Sequence, residues 1–320
     1  MQAADNLAFG LAVWGAIDRN VMAMLSSIEE ALGALKRAAA VFVMAGAGMG
    51  CDSGLPAFRT PDGFWKAYPP FAARGLEFHE VSTPKWFDED PTMAWGFFGH
   101  RHQLYTAAEP HSGYHRLLEL ISAKEPIGVT NGGEDDDGGD VPPGFVFTSN
   151  VDGAFVKAGY PPQAIVECHG SLGHLQCVAP CSDAIWTAPD GLSIVVDEDT
   201  FRAAEPLPAC GACGGLARPN VLMFGDWRWV ADRTEAQEER YAQFRTHVRA
   251  HLRMNPSATV AIVEMGAGKA VPTVRLESEE LARDFGARAA LIRINPAEAD
   301  IPDIGLARGI ELAMGAKAAF

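Results

Sequence analysis

Short, wholly apolar runs that alternate with helical stretches constrain the fold of this chain more than any other feature. The first run, Ala40–Ala45, leads directly into glycines, as expected for a strand that is buried on both faces of a parallel sheet. Five more runs have this character: Phe145–Thr148, Ile165–Glu167, Val221–Met223, Thr259–Val263 and Ala290–Ile294. The alternation predicts an α/β fold with a doubly wound, Rossmann-like parallel sheet that binds ligands at the carboxyl ends of its strands.

Helices are predicted between several of these strands, among them 115–123 and 277–285. Ser26 and Ser27 each stand three residues before a glutamate. This is a doubled capping-box signal for a helix that starts there and reaches about Arg37.

Before that helix, the apolar stretch Leu7–Ile17 follows Asp5 and precedes the first basic residue, Arg19. A secretory signal carries its positive charge first, and a membrane span needs about 20 apolar residues. We therefore expect a docking helix or a disordered extension here, and no membrane-spanning segment elsewhere in the chain.

A formal net charge of -15 argues against one broad class of partner. Nucleic-acid-binding proteins usually present a basic face, and no run of lysine and arginine would form one, so direct DNA or RNA binding is not expected. The acidic run Glu134–Asp137 lies in a segment, 128–144, that is rich in glycine, aspartate and proline. It lacks the ligand spacing of a calcium loop, and we interpret it as a solvated surface loop.

Four of the six cysteines form two close pairs, Cys177 with Cys181 and Cys210 with Cys213. Four thiolates with such spacing can surround zinc tetrahedrally, as in a zinc ribbon, and they leave no open position for chemistry. The pattern predicts a structural zinc site in a small inserted module at 173–216, in a reducing compartment. The alternative is a set of unrelated buried cysteines.

After the first predicted strand the chain reads Gly46-Ala-Gly-Met-Gly-Cys-Asp-Ser-Gly-Leu-Pro-Ala-Phe-Arg59. Glycines at this point let backbone N–H groups approach a pyrophosphate. The dinucleotide fingerprint G-x-G-x-x-G is not met, because Cys51 occupies the third glycine position. No clear acidic partner follows about 20 residues later, so a redox Rossmann enzyme is not supported. For this loop alone, a tight glycine turn without a ligand is the alternative.

The longer string is more specific, because Gly46–Gly48, Gly54–Pro56 and Phe58-Arg59 together resemble the sirtuin signature Gly-Ala-Gly followed by Gly-Ile-Pro-Asp-Phe-Arg. Three further segments resemble sirtuin motifs in the family's order: Thr148–Asp152, Glu167–Gly170 and Arg218–Asp226. The match extends from about Ala40 to Asn295, which is most of the chain.

This resemblance implies a division of the chain into three parts. Residues 25–172 and 217–320 would form a Rossmann-like NAD-binding domain that carries a helical insertion. Residues 173–216 would form the zinc-binding module, and 1–24 an N-terminal extension.

The resemblance also implies roles for three residues that follow predicted strands. Asn150 would contact the nicotinamide ribose, and Asp152 would accept hydrogen bonds from the nicotinamide carboxamide. His169 would act as the general base, since an imidazole titrates near neutral pH. From the residues alone, Asp152 could instead cap a helix and His169 could be structural. We expect Cys168 to be buried packing, because neighbours on a strand point to opposite faces, and Cys51 to line or support the glycine loop.

The other cofactor contacts implied by the resemblance lie in the first glycine loop, beside Asn150 and after the last two strands. They are Gly46, Ala47, Gly48, Phe58, Arg59, Ser149, Val151, Gly266, Ala267, Gly268 and Asn295. Arg59 would pair with phosphate through its forked guanidinium, and 266–268 with Asn295 would hold the adenosine ribose. Phe224 and Gly225 would offer backbone that a substrate peptide joins as an added strand.

The implied reaction is NAD-dependent removal of an acyl group from a lysine of a protein or peptide. The acyl oxygen attacks the anomeric carbon of NAD as nicotinamide leaves, and His169 activates a ribose hydroxyl. Water then releases free lysine and O-acyl-ADP-ribose.

Three positions depart from the sirtuin pattern: Ala57 replaces an aspartate, Gly50 a serine and Ser149 a glutamine. A lost hydrogen bond costs about 0.5–1.5 kcal/mol, so reduced rather than abolished activity is expected. Phe98-Gly-His-Arg101 lies where sirtuins selective for acidic acyl groups carry Tyr-x-x-Arg. Arg101 could pair with a succinyl carboxylate, although Phe98 lacks the hydroxyl that the tyrosine of this motif supplies. Alternatively, Arg101 could face solvent. The sequence therefore does not decide which acyl group is removed.

Two other functions would use the same features. Ala57 and Ser149 motivate ADP-ribosyl transfer or NAD hydrolysis at the same site. A non-catalytic NAD-binding zinc scaffold is the third hypothesis, and the presence of Asn150, Asp152 and His169 together argues against it. The expected partner is an acylated-lysine protein or peptide, with no nucleic acid and no membrane. A cytoplasmic or nuclear location is expected, a mitochondrial one stays open, and the sequence does not indicate the oligomeric state.

Overall fold

The computed structural model of the protein describes residues 21–56, 61–128, 141–197 and 199–320. Within them the strands are β1 (Ala40–Ala45), β2 (Gly144–Thr148), β3 (Ile165–Glu167), β4 (Gly170–Cys177), β5 (Trp186–Thr187), β6 (Ala217–Val221), β7 (Val260–Met265), β8 (Ala289–Ile294) and β9 (Arg308–Leu312). The helices are α1 (21–37), α2 (Pro61–Ala67), α3 (Pro69–Ala73), α4 (Phe78–Val81), α5 (Lys85–Glu89), α6 (Pro91–Ala107), α7 (Ser112–Ser122), α8 (Ala154–Lys157), α9 (Asp232–Met254), α10 (Thr273–Phe285) and α11 (Ala316–Ala319). Short 3-10 helices lie at Ala47–Ser53, Pro162–Ala164 and Gly286–Arg288.

Six strands form one sheet in the order β3-β2-β1-β7-β8-β9, and every neighbouring pair runs parallel. Strands β1, β2 and β7 are buried along their whole length, which explains their nearly uninterrupted apolar sequences. The strand order reverses between β1 and β7, so the carboxyl ends of these strands flank the switch point at which such sheets bind ligands. The predicted fold class is confirmed.

Both faces of this sheet are covered by helices. On one face, α9 and α10 pack Tyr241, Phe244 and Phe285 against Phe42 of β1. On the other, α1, α7 and α11 pack against β1 and its neighbours. A third core joins the helices between 61 and 107 to a small antiparallel sheet of order β5-β4-β6. The predicted helical insertion therefore packs on the module that carries the paired cysteines.

Two predictions about single elements were wrong. Val221–Met223 is not a strand of the large sheet, because β6 ends at Val221 and pairs antiparallel with β4. Val221 and Met223 are apolar because they are buried in the core that the small sheet shares with the helical insertion, and the whole run borders a cavity. Helix α1 is already helical at residue 21, so Ser26 and Ser27 lie inside it and do not start it.

Strands β4, β5 and β9 and the long helix α9 were not predicted. Helix α9 buries Tyr241, Phe244, Val248 and Leu252 at intervals of three and four residues, a helical pattern that the sequence does contain. Strand β9 alternates between buried and exposed residues at the sheet edge, so it lacks the continuous apolar run on which the strand predictions depended.

Strand β4 begins at Gly170 and β6 ends at Val221, just beyond the limits 173–216, and the three-part domain division stays a prediction. The segments Leu7–Ile17 and Glu134–Asp137 lie outside the described residues. In the part of the chain that the structure describes, every helix falls short of the length and apolar character that a membrane span needs.

Candidate active site

Two glycine loops meet at the switch point of the large sheet. Gly46 donates its N–H to the carbonyl of Met265, and Gly48 donates to that of Gly266, both at 2.9 Å. A Cβ on Gly46 would lie 2.6 Å from Ala267 Cα, and one on Gly48 would lie 2.8 Å from Gly266 Cα. Gly266 itself has a φ of +60°, and a Cβ there would lie 2.2 Å from a backbone nitrogen of the facing loop. These glycines are therefore required for the two loops to pack on each other.

The 3-10 helix that continues the first glycine loop is held from two sides. His111, before α7, contacts the carbonyl of Met49 through Nε2 at 3.1 Å, while its Nδ1 accepts a backbone N–H. Because Nδ1 accepts, Nε2 carries the proton and donates. On the other side, Asp52 accepts the N–H of Lys317 in α11 at 2.9 Å. The sequence analysis missed both contacts, which join segments far apart in the chain.

A cavity of about 210 Å³ opens beside the first glycine loop. The predicted site residues that line it are Ala47, Arg101, Ser149, Asn150, Val151, Asp152, His169 and Phe224. They come from the ends of β1 and β2, the turn after β3, the segment after β6 and helix α6. The structure thus brings residues of all four sequence motifs to one cavity.

The segment after β2 presents two buried polar groups to this cavity. Its backbone is fixed, since Ser149 donates its N–H to Ala45 at 3.1 Å and Asn150 donates its own to Thr148 Oγ1 at 3.0 Å. Asn150 Nδ2 and Ser149 Oγ, however, find no hydrogen-bond partner among the residues that the structure describes. A buried polar atom left unpaired costs about 1–3 kcal/mol. Both atoms therefore favour a polar ligand in the cavity.

Asp152 is not the N-cap considered as its alternative role, since Gly153 occupies the N-cap of α8. Its Oδ1 nevertheless accepts the N–H of Ala154, the first residue of α8, at 2.9 Å. The same side chain lines the cavity. Burial raises the pKa of the Asp152 carboxyl above its usual range, while the hydrogen bond from Ala154 and the charge of Arg101 act in the opposite direction. A half-buried carboxylate in this position can accept hydrogen bonds from a ligand.

His169 lies in the tight turn between β3 and β4 and lines the cavity. Gly170 makes the turn possible, because it has a φ of +77° and a Cβ there would lie 2.1 Å from the carbonyl oxygen of Asn220. The carbonyl of His169 accepts the N–H of Leu222 at 3.0 Å, which ties the turn to the segment after β6. Cys168 is buried in the core on the α9 side, as predicted. The reason differs, since both residues lie in a turn and strand alternation does not apply.

Arg101 does not face solvent, since it is only 6% exposed and lines the cavity. Its Nε and Nη2 donate to the hydroxyl of Tyr105, one turn later on α6, at 3.2 and 2.8 Å. The guanidinium carbon lies 5.3 Å from the ring centre of Phe97 and 5.5 Å from that of Phe78. The solvent-facing alternative was wrong. Tyr105, which also lines the cavity, brings a hydroxyl to the arginine that Phe98 cannot supply, and the sequence analysis missed it.

The mouth of the cavity is bordered by the segment after β6. Phe224 is 43% exposed and donates its N–H to the carbonyl of Ser82 at 3.0 Å. It also lines an adjoining open groove together with Gly225 and Trp227. Phe224 therefore connects the cavity to a surface on which a polypeptide can lie.

A buried ion pair holds the segment after β6 in place. The guanidinium of Arg218 pairs with the carboxylate of Asp226, and both side chains are fully buried. Asp226 also accepts the N–H groups of Met223 and Arg228, at 3.4 and 3.2 Å. The carboxylate thus sets the path of the chain on both sides of Phe224.

The residues expected at the adenosine end lie together after β7 and β8. Asn295 Nδ2 donates to the carbonyl of Ala267 at 3.0 Å, and its Oδ1 accepts the N–H groups of Ala297 and Glu298 at 3.0 and 2.9 Å. Asn295 therefore holds the loop of Gly266, Ala267 and Gly268 against the loop after β8. Its contact with a ribose stays a prediction. Phe58 and Arg59, like the substituted position Ala57, lie outside the described residues.

The four paired cysteines converge at the end of the small sheet. All four Sγ atoms lie within 4.8 Å of one another, and the pairs Cys177–Cys213 and Cys181–Cys210 are each 3.7 Å apart. Zinc with Zn–S bonds of about 2.3 Å separates tetrahedral sulfurs by roughly 3.8 Å, so the cluster fits a structural zinc ion. The alternative of unrelated buried cysteines was wrong.

Comparisons with known proteins agree with this geometry. Residues 142–244 match the profile of the Sir2 family. An NAD-dependent protein deacylase of Thermus thermophilus is 30% identical over 262 residues, which are 80% of this chain and 87% of that protein. The chain belongs to the Sir2 family, the sirtuins.

Other sirtuins match at similar levels. The NAD-dependent protein deacylase of Aquifex aeolicus is 27% identical to this sirtuin over 82% of its chain and 86% of that protein. NAD-dependent protein deacylase 2 of Pyrobaculum aerophilum is 33% identical over 58% of each chain. Among solved structures, a mutant Sir2 homologue in complex with ADP ribose superimposes with a TM-score of 0.55 at 22% identity, over 91% of this chain and 92% of that one. The similarity to this solved structure supports the assignment of the fold.

Proposed function

We propose that this sirtuin removes acyl groups from lysine side chains of proteins or peptides in a reaction that consumes NAD. The products would be nicotinamide, free lysine and O-acyl-ADP-ribose. One observation carries the proposal: Asn150, Asp152 and His169 border a single cavity whose mouth continues into the exposed segment at Phe224 and Gly225. Acyl transfer from a lysine to NAD requires a pocket that is shared in this way. Relatives named NAD-dependent protein deacylase support it.

The residues of the cavity fit NAD. Asn150 Nδ2 and Ser149 Oγ need polar partners, which ribose hydroxyls and a carboxamide supply. The carboxylate of Asp152 suits the N–H groups of that carboxamide. The N–H groups of Gly46 and Gly48 are used between the two glycine loops, which leaves Ala47 as the residue of this loop that faces the cavity. When bound, NAD would supply a ribose carbon that becomes electrophilic as nicotinamide departs.

Asn150, Asp152 and His169 would have different roles in the reaction. Asn150 and Asp152 would orient the nicotinamide riboside, and orientation of reacting groups is a major source of rate acceleration. His169 would take a proton from a ribose hydroxyl, as a general base in hydrogen-bond reach of its substrate does. Gly170 and Leu222 hold the turn of His169 in place through the contacts described above.

The wall formed by Arg101 and Tyr105 supports a finer proposal about the acyl group. A buried guanidinium that lines the cavity beside a hydroxyl is suited to a carboxylate at the end of an acyl chain. We therefore expect a dicarboxylic acyl group, of the succinyl type, to be removed faster than an acetyl group. The predicted cytoplasmic or nuclear location stays a proposal that depends on the cysteine pattern alone.

The decisive experiment incubates the protein with NAD and peptides that carry acetyl-, succinyl- or long-chain-acyl-lysine, and follows peptide mass and nicotinamide together. Nicotinamide release in step with acyl loss would support deacylation, and release independent of peptide would contradict it in favour of NAD hydrolysis or ADP-ribosyl transfer. His169→Ala should reduce turnover by about 10²-fold or more, while His115→Ala, at an exposed position on α7, should leave it unchanged.

The acyl preference is tested with Arg101→Met and Tyr105→Phe. A lost hydrogen bond to a charged group costs about 1.5–3 kcal/mol, so kcat/KM for the succinyl peptide should fall at least tenfold in Arg101→Met. The value for the acetyl peptide should change less. Equal losses for both peptides would contradict a role of Arg101 in acyl recognition.

A further inference from the structure

A second, much smaller cavity of about 10 Å³ lies next to the first, and Asp152 and Tyr105 line both. Tyr114 of α7 and Gly50 of the first glycine loop also line it. A cavity of this size is just large enough for one water molecule where polar groups line it. The carboxylate that borders the large cavity is therefore also accessible from this second side.

Tyr114 is buried completely, and its ring packs on those of His111 and Phe155 at 4.8 and 4.9 Å. Its hydroxyl has no hydrogen-bond partner among the residues that the structure describes. The neighbouring buried tyrosine differs, since Tyr160 Oη donates to the backbone carbonyl of Tyr114 at 2.9 Å. Buried hydroxyl groups in native proteins are almost always paired, so the hydroxyl of Tyr114 calls for a partner in the cavity that it lines.

The outer side of this cavity is bordered by a largely exposed ion pair. Lys157 lies 2.9 Å from the carboxylate of Glu109 and donates to the carbonyl of Ala108 at 2.7 Å, and all three residues line the cavity. Besides this ion pair, the polar side chains that line the cavity are those of Ser53, Tyr105, Tyr114 and Asp152.

Gly50 determines which oxygen of Asp152 is reachable. Oδ1 is occupied by the N–H of Ala154. A Cβ built on Gly50 would lie 3.6 Å from Asp152 Oδ2, so a glycine at position 50 leaves this oxygen without a side-chain contact from residue 50. The serine that sirtuins usually carry at this position would have placed a hydroxyl there.

We propose that Tyr114 is a positioning residue that holds Asp152 through one water molecule bound in the small cavity. The Tyr114 hydroxyl donates to the water, and the water donates to Asp152 Oδ2. Such a bridge is nearly as favourable as a direct hydrogen bond, and it restores the support that a serine at position 50 would give. The charge of Asp152 contributes to a raised pKa of Tyr114, after the larger effect of burial, which agrees with their proximity. The proposal depends on the proposed role of Asp152 toward nicotinamide.

The test compares Tyr114→Phe, which keeps the ring and removes only the hydroxyl, with Tyr160→Phe as the matched control. Titration calorimetry measures the Kd of NAD and that of ADP-ribose, which lacks nicotinamide. Because a hydrogen bond to a charged group is weakened, Tyr114→Phe should bind NAD about tenfold more weakly and ADP-ribose as tightly as the wild type. Its apo unfolding temperature should fall. Tyr160→Phe should also unfold earlier but bind both ligands unchanged.

A double variant tests whether a hydroxyl from the other side of Asp152 can replace that of Tyr114. In Tyr114→Phe combined with Gly50→Ser, the serine hydroxyl can reach Asp152 Oδ2 directly once the flexible end of Leu55, 3.0 Å from the new Cβ, moves aside. NAD affinity should return toward the wild-type value. A double variant that binds NAD no better than Tyr114→Phe would overturn the proposal.

Two further outcomes would also overturn it. If Tyr114→Phe binds NAD normally and unfolds at the same or a higher temperature, the hydroxyl makes no useful contact. If it loses NAD and ADP-ribose affinity equally, Tyr114 acts only through packing. A wild-type protein that binds NAD but releases no acyl group would contradict the proposed function and leave this inference intact, because every readout here is binding or stability.

Discussion

The large parallel sheet and the cysteine module are stabilised by different means. Strands β1 and β7 are buried along their whole length and covered by helices on both faces. In the described part of the chain, the small sheet of the module has only three strands, one of them two residues long, and half of the thiols in its cysteine cluster are exposed. Its buried side chains belong to a core that it shares with the helical insertion. The sheet can therefore support the glycine loops by packing alone, whereas we expect the module to need metal ligation in addition to its shared core.

Removal of zinc should have the largest effect and should separate the two regions. Zinc contributes about 10–16 kcal/mol to the folding of small zinc-finger peptides, so a chelator should unfold the module while the parallel sheet keeps its secondary structure. Limited proteolysis followed by mass spectrometry should show early cleavage between 178 and 216. Cys213→Ser should lose zinc and Cys51→Ser should keep it. Cleavage at equal rates throughout the chain would show that the two regions unfold together.

Asp226→Asn should have the next largest effect, at the boundary between the two regions. Breaking a buried ion pair costs about 3–5 kcal/mol, because the fully buried Arg218 is left with an uncompensated charge. Denaturant unfolding measures the loss of stability. The control is Asp88→Asn, which breaks a partly exposed pair with Arg228 and should cost about 0–1 kcal/mol. Similar losses in the two variants would contradict a special role for the buried pair.

Gly266→Ala tests the packing of the two glycine loops. The positive φ and the close approach to backbone atoms together should cost about 2–4 kcal/mol and weaken NAD binding. Gly305→Ala is the matched control, since it has a φ of +69° but nothing within 4 Å of the added Cβ. It should lose about 1–2 kcal/mol and bind NAD normally. A Gly266→Ala protein with normal NAD affinity would show that the loops separate easily.

The smallest effect is a pH dependence located in the small sheet. Burial, with a smaller contribution from Arg233, lowers the pKa of His174 on β4 to about 4. The pKa of a histidine in the unfolded chain is near 6.5, so at pH values between this and the folded-state pKa the unfolded chain binds a proton that the folded chain does not. The contribution of His174 to the free energy of unfolding therefore falls by about 1–2 kcal/mol as the pH drops from 7 to 5. Unfolding curves of His174→Gln should depend less on pH, and an unchanged dependence would contradict the assignment.

The strands of the large sheet could be predicted because burial on both faces requires a continuous run of apolar residues in the sequence. Every residue of Ala40–Ala45 is apolar for that reason, and the paired cysteines record their metal in their spacing. The prediction failed at Val221–Met223, where the same apolar character arises from a different core, which the small sheet shares with the helical insertion. It also missed Tyr114 and His111, whose contacts with the site join segments far apart in the chain, and Tyr105, which lies one turn after Arg101 on the same helix.

The sequence by itself determined the class of fold, the order of the motifs and the four thiols, because strand burial, glycine conformation and ligand spacing depend on neighbouring residues. Only the tertiary structure decided that Gly48 and Gly266 pack against each other, that Arg101 turns into the cavity, and that Asp152 borders a second, smaller cavity. These features depend on which distant segments meet at the carboxyl edge of the sheet. No local sequence pattern predicts which distant segments contact each other, because the packing of the whole core brings them together.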